Sequence, residues 1–444
     1  MLAVAEPGQH SQSAVGSRKS HCITTSVNKR IVSRRPSASR RTCSTLAAAA
    51  ADLTPTRAAT EAATAANAGG DLDSLLPRRK QYDVVALSNL CVDIMVPVEQ
   101  LPPTDTASRH RLLQQLTAQP PPTSQWEVGG NTNFLIAASR LGLRTACIGH
   151  LGPDVFGQYM QDILQTEHVR TIEPVAVERL SAEQGQTLLC FVLVDPAGRH
   201  AFCSRYDFGP WPLLSFVRGL PDGVTHVLRN TAAVFINGFT FDELPVEAVI
   251  GAARTAQEAG AAVFFDPGPR SWTFSEGERK AALDAVLDVA DVVCMTEEEA
   301  EAVTGGQQGA EAQARFILGR PGARTEWCVI KRGAEGAVLA SRTATQLYSQ
   351  QALQVDVRDT VGCGDSFAAA LVLGFTRGHS IPAVMALANA VGAATAMGAG
   401  AGRNVADAMR VQSLLRLAVP GCTDGRHLDA LDVLHSSLSS MDSE

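Results

Sequence analysis

Five short apolar runs, spaced so that helical patterns fall between them, constrain this chain more than any other feature. They are YDVVALSNL from Tyr82, AVFIN from Ala233, AAVFFD from Ala261, DVVCM from Asp291 and WCVIK from Trp327. Runs of this length that are apolar at nearly every position suit strands covered on both faces. Between them, VEAVIGAARTAQEAG and KAALDAVLDVA place their apolar residues at helical spacing. Strands alternating with helices make a mainly parallel sheet with helices on both sides. One segment departs from that rhythm: QTLLCFVLVDPAGRHAFCSR, from Gln186, reads as two strands around a Pro-Ala-Gly turn. A hairpin set into such a domain is a candidate lid over an active site.

The chain ends read differently. The first 45 residues hold Arg18, Lys19, Lys29, Arg30, Arg34, Arg35, Arg40 and Arg41 but a single acid, Glu6, and are rich in Ser and Thr. That is the composition of an organelle transit peptide, and its Ser-rich character favours the chloroplast stroma over a mitochondrion or the cytoplasm. Residues 46–80 contain the Ala/Thr-rich stretch LAAAAADLTPTRAATEAATAANAGG and read as a disordered linker. One domain is expected over 81–421, followed by a polar tail over 422–444. The chain carries 38 Lys and Arg against 45 Asp and Glu, a net charge of −7. With so many bases in the leader, the body is more acidic than that figure and gives nucleic acid no general footing. No apolar run approaches the ~20 residues that cross a bilayer. Ten cysteines are scattered with no CxxC pair, which fits reduced thiols. Cys190, His200 and Cys203 on the hairpin lack the spacing of a metal site, so packing is expected of them.

Several familiar arrangements are absent: there is no Walker A loop, no HExxH and no GxSxG. Gly398-Ala-Gly400-Ala-Gly402 follows an Ala-rich helical segment rather than opening a helix after a strand, so it is no dinucleotide fingerprint. The strongest signal is Asp359-Thr-Val-Gly-Cys-Gly-Asp365 followed by SFAAALVLGF. The apolar pattern after Asp365 is helical, which puts Gly362, Cys363 and Gly364 at a helix N-terminus. Unpaired amides and the helix dipole there form an anion site that can hold phosphate. An aspartate at the same place can take the proton of an incoming hydroxyl. From these residues alone, a plain helix cap is the equal alternative.

The segment resembles the C-terminal signature Asp-Thr-x-Gly-Ala-Gly-Asp of the PfkB (ribokinase-like) carbohydrate kinases, with Cys363 in place of Ala. The family's N-terminal signature is similar to Gly129-Gly130-Asn131-Thr132-Asn133, followed by FLIAASRLGL and IGHLGPDVFG. The resemblance covers roughly 82–419. It implies a three-layer α/β/α ribokinase-like fold with a mostly parallel central sheet and a small β lid. It also implies transfer of the ATP γ-phosphate to a hydroxyl of a sugar or nucleoside, with Asp365 as general base and the Gly362, Cys363 and Gly364 amides as the anion hole. Asp93 falls where the family binds substrate hydroxyls, and Gly129, Gly130, Asn131 and Asn133 line the same side. The Gly-Gly to Asn spacing is one residue short, so either glycine could stand nearest the substrate. Lys331, Gly333 and Gly336 correspond to the nucleotide turn Thr-x-Gly-x-x-Gly, with Lys for Thr, leaving Lys331 to pair with phosphate or to sit in solvent. Asn389 falls where a helix meets adenine. Glu299 carries over from Asn-x-x-Glu, with Thr296 in place of Asn, and implies Mg²⁺ reached through water. Asp359 lies where relatives hold K⁺. Asp266-Pro-Gly-Pro-Arg270 resembles Asp-Pro-Asn-x-Arg at a strand end facing the cleft.

The acceptor stays open on these grounds. Phe191, Phe202, Tyr206 and Phe208 on the lid could stack on a base or pack on the sheet, and the leader and the Gly-Gly-Asn-Thr-Asn variant lean towards a nucleoside over fructose. The resemblance also carries pairing of two copies through the lid. A second class remains: some plastid relatives are non-enzymatic, fructokinase-like partners in transcription complexes. Retention of Asp365, its flanking glycines and Asp93 favours the enzyme.

Overall fold

A computed structural model of the protein describes residues 79–440 apart from 104, 175–179, 182, 183, 198, 210, 400 and 422. The expected transit peptide and nearly all of the expected linker lie outside the described residues. The apolar runs become strands β1 (Val84–Leu87), β8 (Ala233–Asn237), β9 (Ala262–Asp266), β10 (Val292–Thr296) and β11 (Trp327–Lys331). With β4 (Thr145–Ile148), β5 (Val169–Ile172), β12 (Ala337–Ser341) and β13 (Leu347–Gln350) they form one sheet in the order β13-β12-β11-β10-β9-β8-β1-β4-β5. All neighbours run parallel except at the β11-β12-β13 edge, where short turns replace helical crossovers.

Strand alternation explains why the runs are apolar throughout. Val84 and Ala86 enter one core with Phe235, Phe264 and Val329, whereas Val85 and Leu87 enter a second with Ile236, Phe265 and Ile330. Helices Asn131–Arg140, Cys363–Thr376 and Ile381–Ala396 cover the first face; Val246–Glu258, Gly277–Val289 and Ala310–Leu318 cover the second.

The lid is larger than a hairpin. β2 (Leu90–Pro97), β3 (Trp126–Gly130), β6 (Leu188–Val194) and β7 (His200–Ser204) make a separate sheet in the order β3-β2-β6-β7. The run from Tyr82 therefore spans one strand and the start of the next. Ser88 and Asn89, both left-handed at φ 61° and 58°, turn the chain out of β1 and straight into lid strand β2. Asparagine tolerates that conformation better than most residues.

The expected polar tail is corrected. Helix Arg426–Ser439 packs Ala430, Leu431, Val433 and Leu434 into the first core, and Ser437 donates to the Leu141 carbonyl at 2.6 Å. Its apolar residues recur at helical spacing, and that periodicity outweighs the polar composition.

Candidate active site

The site is assembled from strand ends. Open parallel sheets bind ligands outside the carboxyl ends of their strands, and here β9 ends at Asp266, β10 at Thr296 and β11 at Lys331. Opposite them, Gly362 adopts φ 80°, a conformation suited to glycine, and opens helix Cys363–Thr376. The Cys363 amide donates to the Thr360 carbonyl at 3.2 Å, so its expected place in the anion hole is corrected. The Gly364 and Asp365 amides are the next two in the first turn. A Cβ on Gly364 would lie 3.2 Å from the Lys331 ammonium, which places that cation against the helix mouth.

Lys331 is not solvated. Its Nζ pairs with Asp266 Oδ2 at 2.6 Å, both side chains nearly buried; burial opposes its charge, but Asp266 and the other acids around it hold its pKa well above the ordinary lysine range. Sharing this space, Asp365 is pushed up to about 6 by burial and the Asp266 charge, against the pull of Lys331 and of an Asn133 hydrogen bond. Glu299 rises to about 7 for the same first two reasons. Its Oε2 accepts from the Thr296 amide at 2.7 Å, while Thr296 Oγ1 accepts from the Glu299 amide. Thr296 thus serves as a helix cap where the family has Asn.

On the lid side, Asp93 of β2 lies over Gly129 of β3. A Cβ on Gly129 would sit 2.2 Å from the Asp93 carboxyl, so Gly129 rather than Gly130 is the glycine beside that acid. Burial first, then the Asp365 and Glu127 charges, raise Asp93 to about 7, and the Cys91 thiol donates to it at 3.3 Å. Gly130 serves the crossing between the two sheets: it has φ 61°, and a Cβ there would meet the Asn89 carbonyl at 2.3 Å. Gly130→Ala is expected to cost at least about 2 kcal/mol in urea unfolding, from strain together with the clash.

Asn131 is corrected. It is 1% exposed, its Nδ2 donates to the Leu87 and Ser88 carbonyls, and its Oδ1 accepts from Asn237, so its hydrogen-bonding capacity goes into the β1–β2 turn. Asn133 does reach the site, with its Nδ2 3.1 Å from Asp365 Oδ2.

The remaining expected residues are placed as follows. Gly333 opens, and Gly336 closes, the tight turn between β11 and β12, where a Cβ on Gly336 would strike the Gln350 carbonyl. Asn389 is buried, and its Nδ2 donates to the Met385 carbonyl one turn back in its helix at 2.8 Å. Asp359 Oδ1 accepts from the Val361 amide at 2.9 Å. Arg270 of the Asp-Pro-Gly-Pro-Arg segment turns away to Asp242 at 2.7 Å and to the Tyr206 carbonyl.

Three of the four lid aromatics are packed, and Phe202 is half-buried. Phe191 is fully buried, the Tyr206 hydroxyl donates to Glu243 and Phe208 lies edge-on to His110. The register pairs Cys190 with Ser204 and Phe191 with Cys203, so the two cysteines occupy opposite faces of the lid sheet. Among the described residues, no cluster of three His, Cys, Asp or Glu side chains could hold a metal directly. The half-buried Glu299 carboxylate has the chemistry that would hold a Mg²⁺ through water.

Residues 110–408 match the pfkB family of carbohydrate kinases. The chain belongs to that family. This pfkB-family kinase is 25% identical over 306 residues to a 5-dehydro-2-deoxygluconokinase of Shouchella clausii, covering 68% of this chain and 86% of that one. It is 28% identical over 316 residues to an ATP-dependent ribose-1-phosphate kinase of Halopiger xanaduensis, covering 70% and 91%. Its fold superposes on a putative ribokinase II from E. coli, solved in complex with ATP and Mg²⁺, with a TM-score of 0.59 and 21% identity over 76% of this chain and 99% of that one. Kinases of this family use ATP with Mg²⁺. No helix among the described residues is long and apolar enough to cross a membrane.

Proposed function

We propose that this kinase transfers the ATP γ-phosphate to a hydroxyl of a sugar or sugar derivative, with Asp365 as the general base. The observation that carries this reading is the convergence of three groups at one helix mouth: Asp365 held by Asn133, the Lys331 ammonium against Gly364, and Asp93 across from them on the lid. The acceptor's hydroxyls lie on Asp93 and Gly129. Its reacting O–H gives the proton to Asp365 as the O–P bond forms and the bond from Pγ to the β–γ bridging oxygen breaks, releasing ADP. Lys331 and the Gly364 and Asp365 amides stabilise charge on the transferring group. Mg²⁺, when bound, would neutralise phosphate charge, and Glu299 is the carboxylate that would hold its water. Gly333 and Gly336 shape the turn beside the nucleotide. A K⁺ beside Asp359 belongs to the same reading and is tested by exchanging K⁺ for Na⁺.

Phe191 and Tyr206 are buried in packing and lend no support to a nucleoside. The names of the relatives put sugar derivatives first. The deciding experiment measures ADP release with Mg-ATP across sugars, sugar acids, sugar phosphates and nucleosides. Turnover on one class names the acceptor; none on any class, with ATP still bound, would favour a non-enzymatic fructokinase-like partner in a plastid transcription complex. Because Asp365 must be ionised, kcat/KM on the true acceptor is expected to rise with pH through about 6. A flat profile from pH 5 to 8 would remove Asp365 from the base role. Plastid targeting by residues 1–45 is tested by fusing them to a fluorescent protein, and pairing through the lid by the mass in solution.

A further inference from the structure

The loop that follows helix Ile381–Ala396 plays no part in the reaction as described, yet it is bonded to the proposed base at one remove. Asn133 is buried between the two. Its Oδ1 accepts from the Gly402 amide at 2.8 Å and its Nδ2 donates to Asp365 Oδ2 at 3.1 Å. The Gly402 N–H can only donate, so it must face the amide oxygen, and the NH₂ group is thereby turned to the carboxylate. Gly402 itself is held close to the lid: it has φ 61°, and a Cβ would lie 2.5 Å from Glu127 Cγ. The next residue makes the attachment. Arg403 donates through its backbone amide and Nε to Glu127 Oε1 at 3.3 and 3.1 Å, and through Nη2 to the Tyr159 hydroxyl at 3.2 Å. From the body, Arg140 Nη1 donates to the carbonyls of Arg403 and Val405 at 3.1 and 2.7 Å. Glu127 is also the register partner of Asp93 across β2 and β3. The strand pair that carries the acceptor-side acid therefore also grips the loop that aims Asn133.

We infer that Arg403 and Glu127 are positioning residues, a latch between lid strand β3 and the Gly402 loop that fixes Asn133 and through it the orientation of the Asp365 carboxylate. The inference rests on Asp365 acting as the base. Asp365 is faced by Asp266 and Lys331 from the strand ends, by Asp93 from the lid, by Cys363 on its own helix and by Asn133. Of these, Asn133 is the one bonded to the Gly402 loop, and Asp93 also feels the Glu127 charge. The Asn133 contact favours the ionised carboxylate, so loosening it raises the pH at which the base becomes active.

The test is the pH dependence of kcat/KM for Arg403→Ala, Arg403→Lys, Glu127→Gln and Asn133→Ala, with Asp365→Asn measured alongside. Arg403 is half exposed, so its replacements are expected to fold, and Arg403→Lys and Glu127→Gln keep the shape if the alanine variant does not. Arg403→Ala and Asn133→Ala are each expected to move the acidic limb up by about half a pH unit or more and to lower kcat about tenfold, with KM for ATP unchanged. Arg403→Lys should fall between Arg403→Ala and the wild type, because lysine cannot reproduce the forked contact. In the Asn133→Ala background, Arg403→Ala should have no further effect on the limb. An unmoved limb in Arg403→Ala, Arg403→Lys and Glu127→Gln, with Asp365→Asn inactive, would overturn the latch and leave the base in place. An active Asp365→Asn would overturn the base, and the latch with it.

Discussion

Asp365→Asn is expected to lower kcat by about 10³-fold while ATP binding and the fold persist. The amide keeps the shape and can still meet Asn133, but it cannot accept the acceptor's proton. The same substitution is expected to raise the melting temperature at pH 8. The Asp365 carboxyl is pushed from its ordinary 3.8 to about 6 in the folded protein by burial and the Asp266 charge. The folded state thus holds a proton there that the unfolded chain has already released. That contribution to stability is present below pH 4 and lost as pH rises through about 6, so at pH 8 the ionised group is a net cost that Asn removes. At pH 4 the two proteins should melt together. Loss of activity combined with a higher melting temperature at pH 8 separates a missing base from a damaged fold; a lower melting temperature at both pH values would indicate damage instead.

Lys331→Met is the second large effect. The ammonium pairs with Asp266 at 2.6 Å and lies beside Asp365 and Glu299, whose ionisation it favours. Removing one partner of a buried pair leaves the other charge uncompensated and costs about 3–5 kcal/mol, measurable by denaturant unfolding. Activity should fall by about 10²-fold or more, because the cation at the helix mouth is lost, and the acidic limb of any residual rate should move above pH 6. The double variant Lys331→Met with Asp266→Asn removes the uncompensated charge. It is expected to recover most of the stability and none of the rate. If it recovers the rate as well, Lys331 serves only to neutralise Asp266 and has no part in phosphoryl transfer.

Much of this was legible in the sequence because local pattern dictated it. Continuous apolar strands announced a sheet covered on both faces, and the helix after Asp365 announced where the anion site would lie. Most of what escaped was set by contacts between distant residues. The spacing around Gly129 and Asn133 could not show that Asn131 is consumed by the β1–β2 turn, since its partners Leu87, Ser88 and Asn237 come from two other segments. Lys331 read equally well as a phosphate ligand or a solvated lysine, because only the fold brings Asp266 to it. The Cys363 amide went into a turn whose closing partner, Thr360, lies inside the motif itself. The loop around Gly402 carried a visible signal, a run of alternating glycines that no nucleotide fingerprint explained. Its positive φ and close approach to Glu127 account for at least one of them.

Helix Arg426–Ser439 gives the codons beyond the family match a genetic weight their composition does not suggest. Every residue assigned to the chemistry precedes position 421, so a stop codon just beyond it would leave the whole reaction machinery encoded. Such an allele would nonetheless strip Leu431 and Leu434 from the core and Ser437 from the Leu141 carbonyl, at the end of the very helix that begins with Asn131 and Asn133. Truncations that remove this helix should therefore behave as null alleles, and an expression boundary drawn at the end of the recognisable family domain should give insoluble protein.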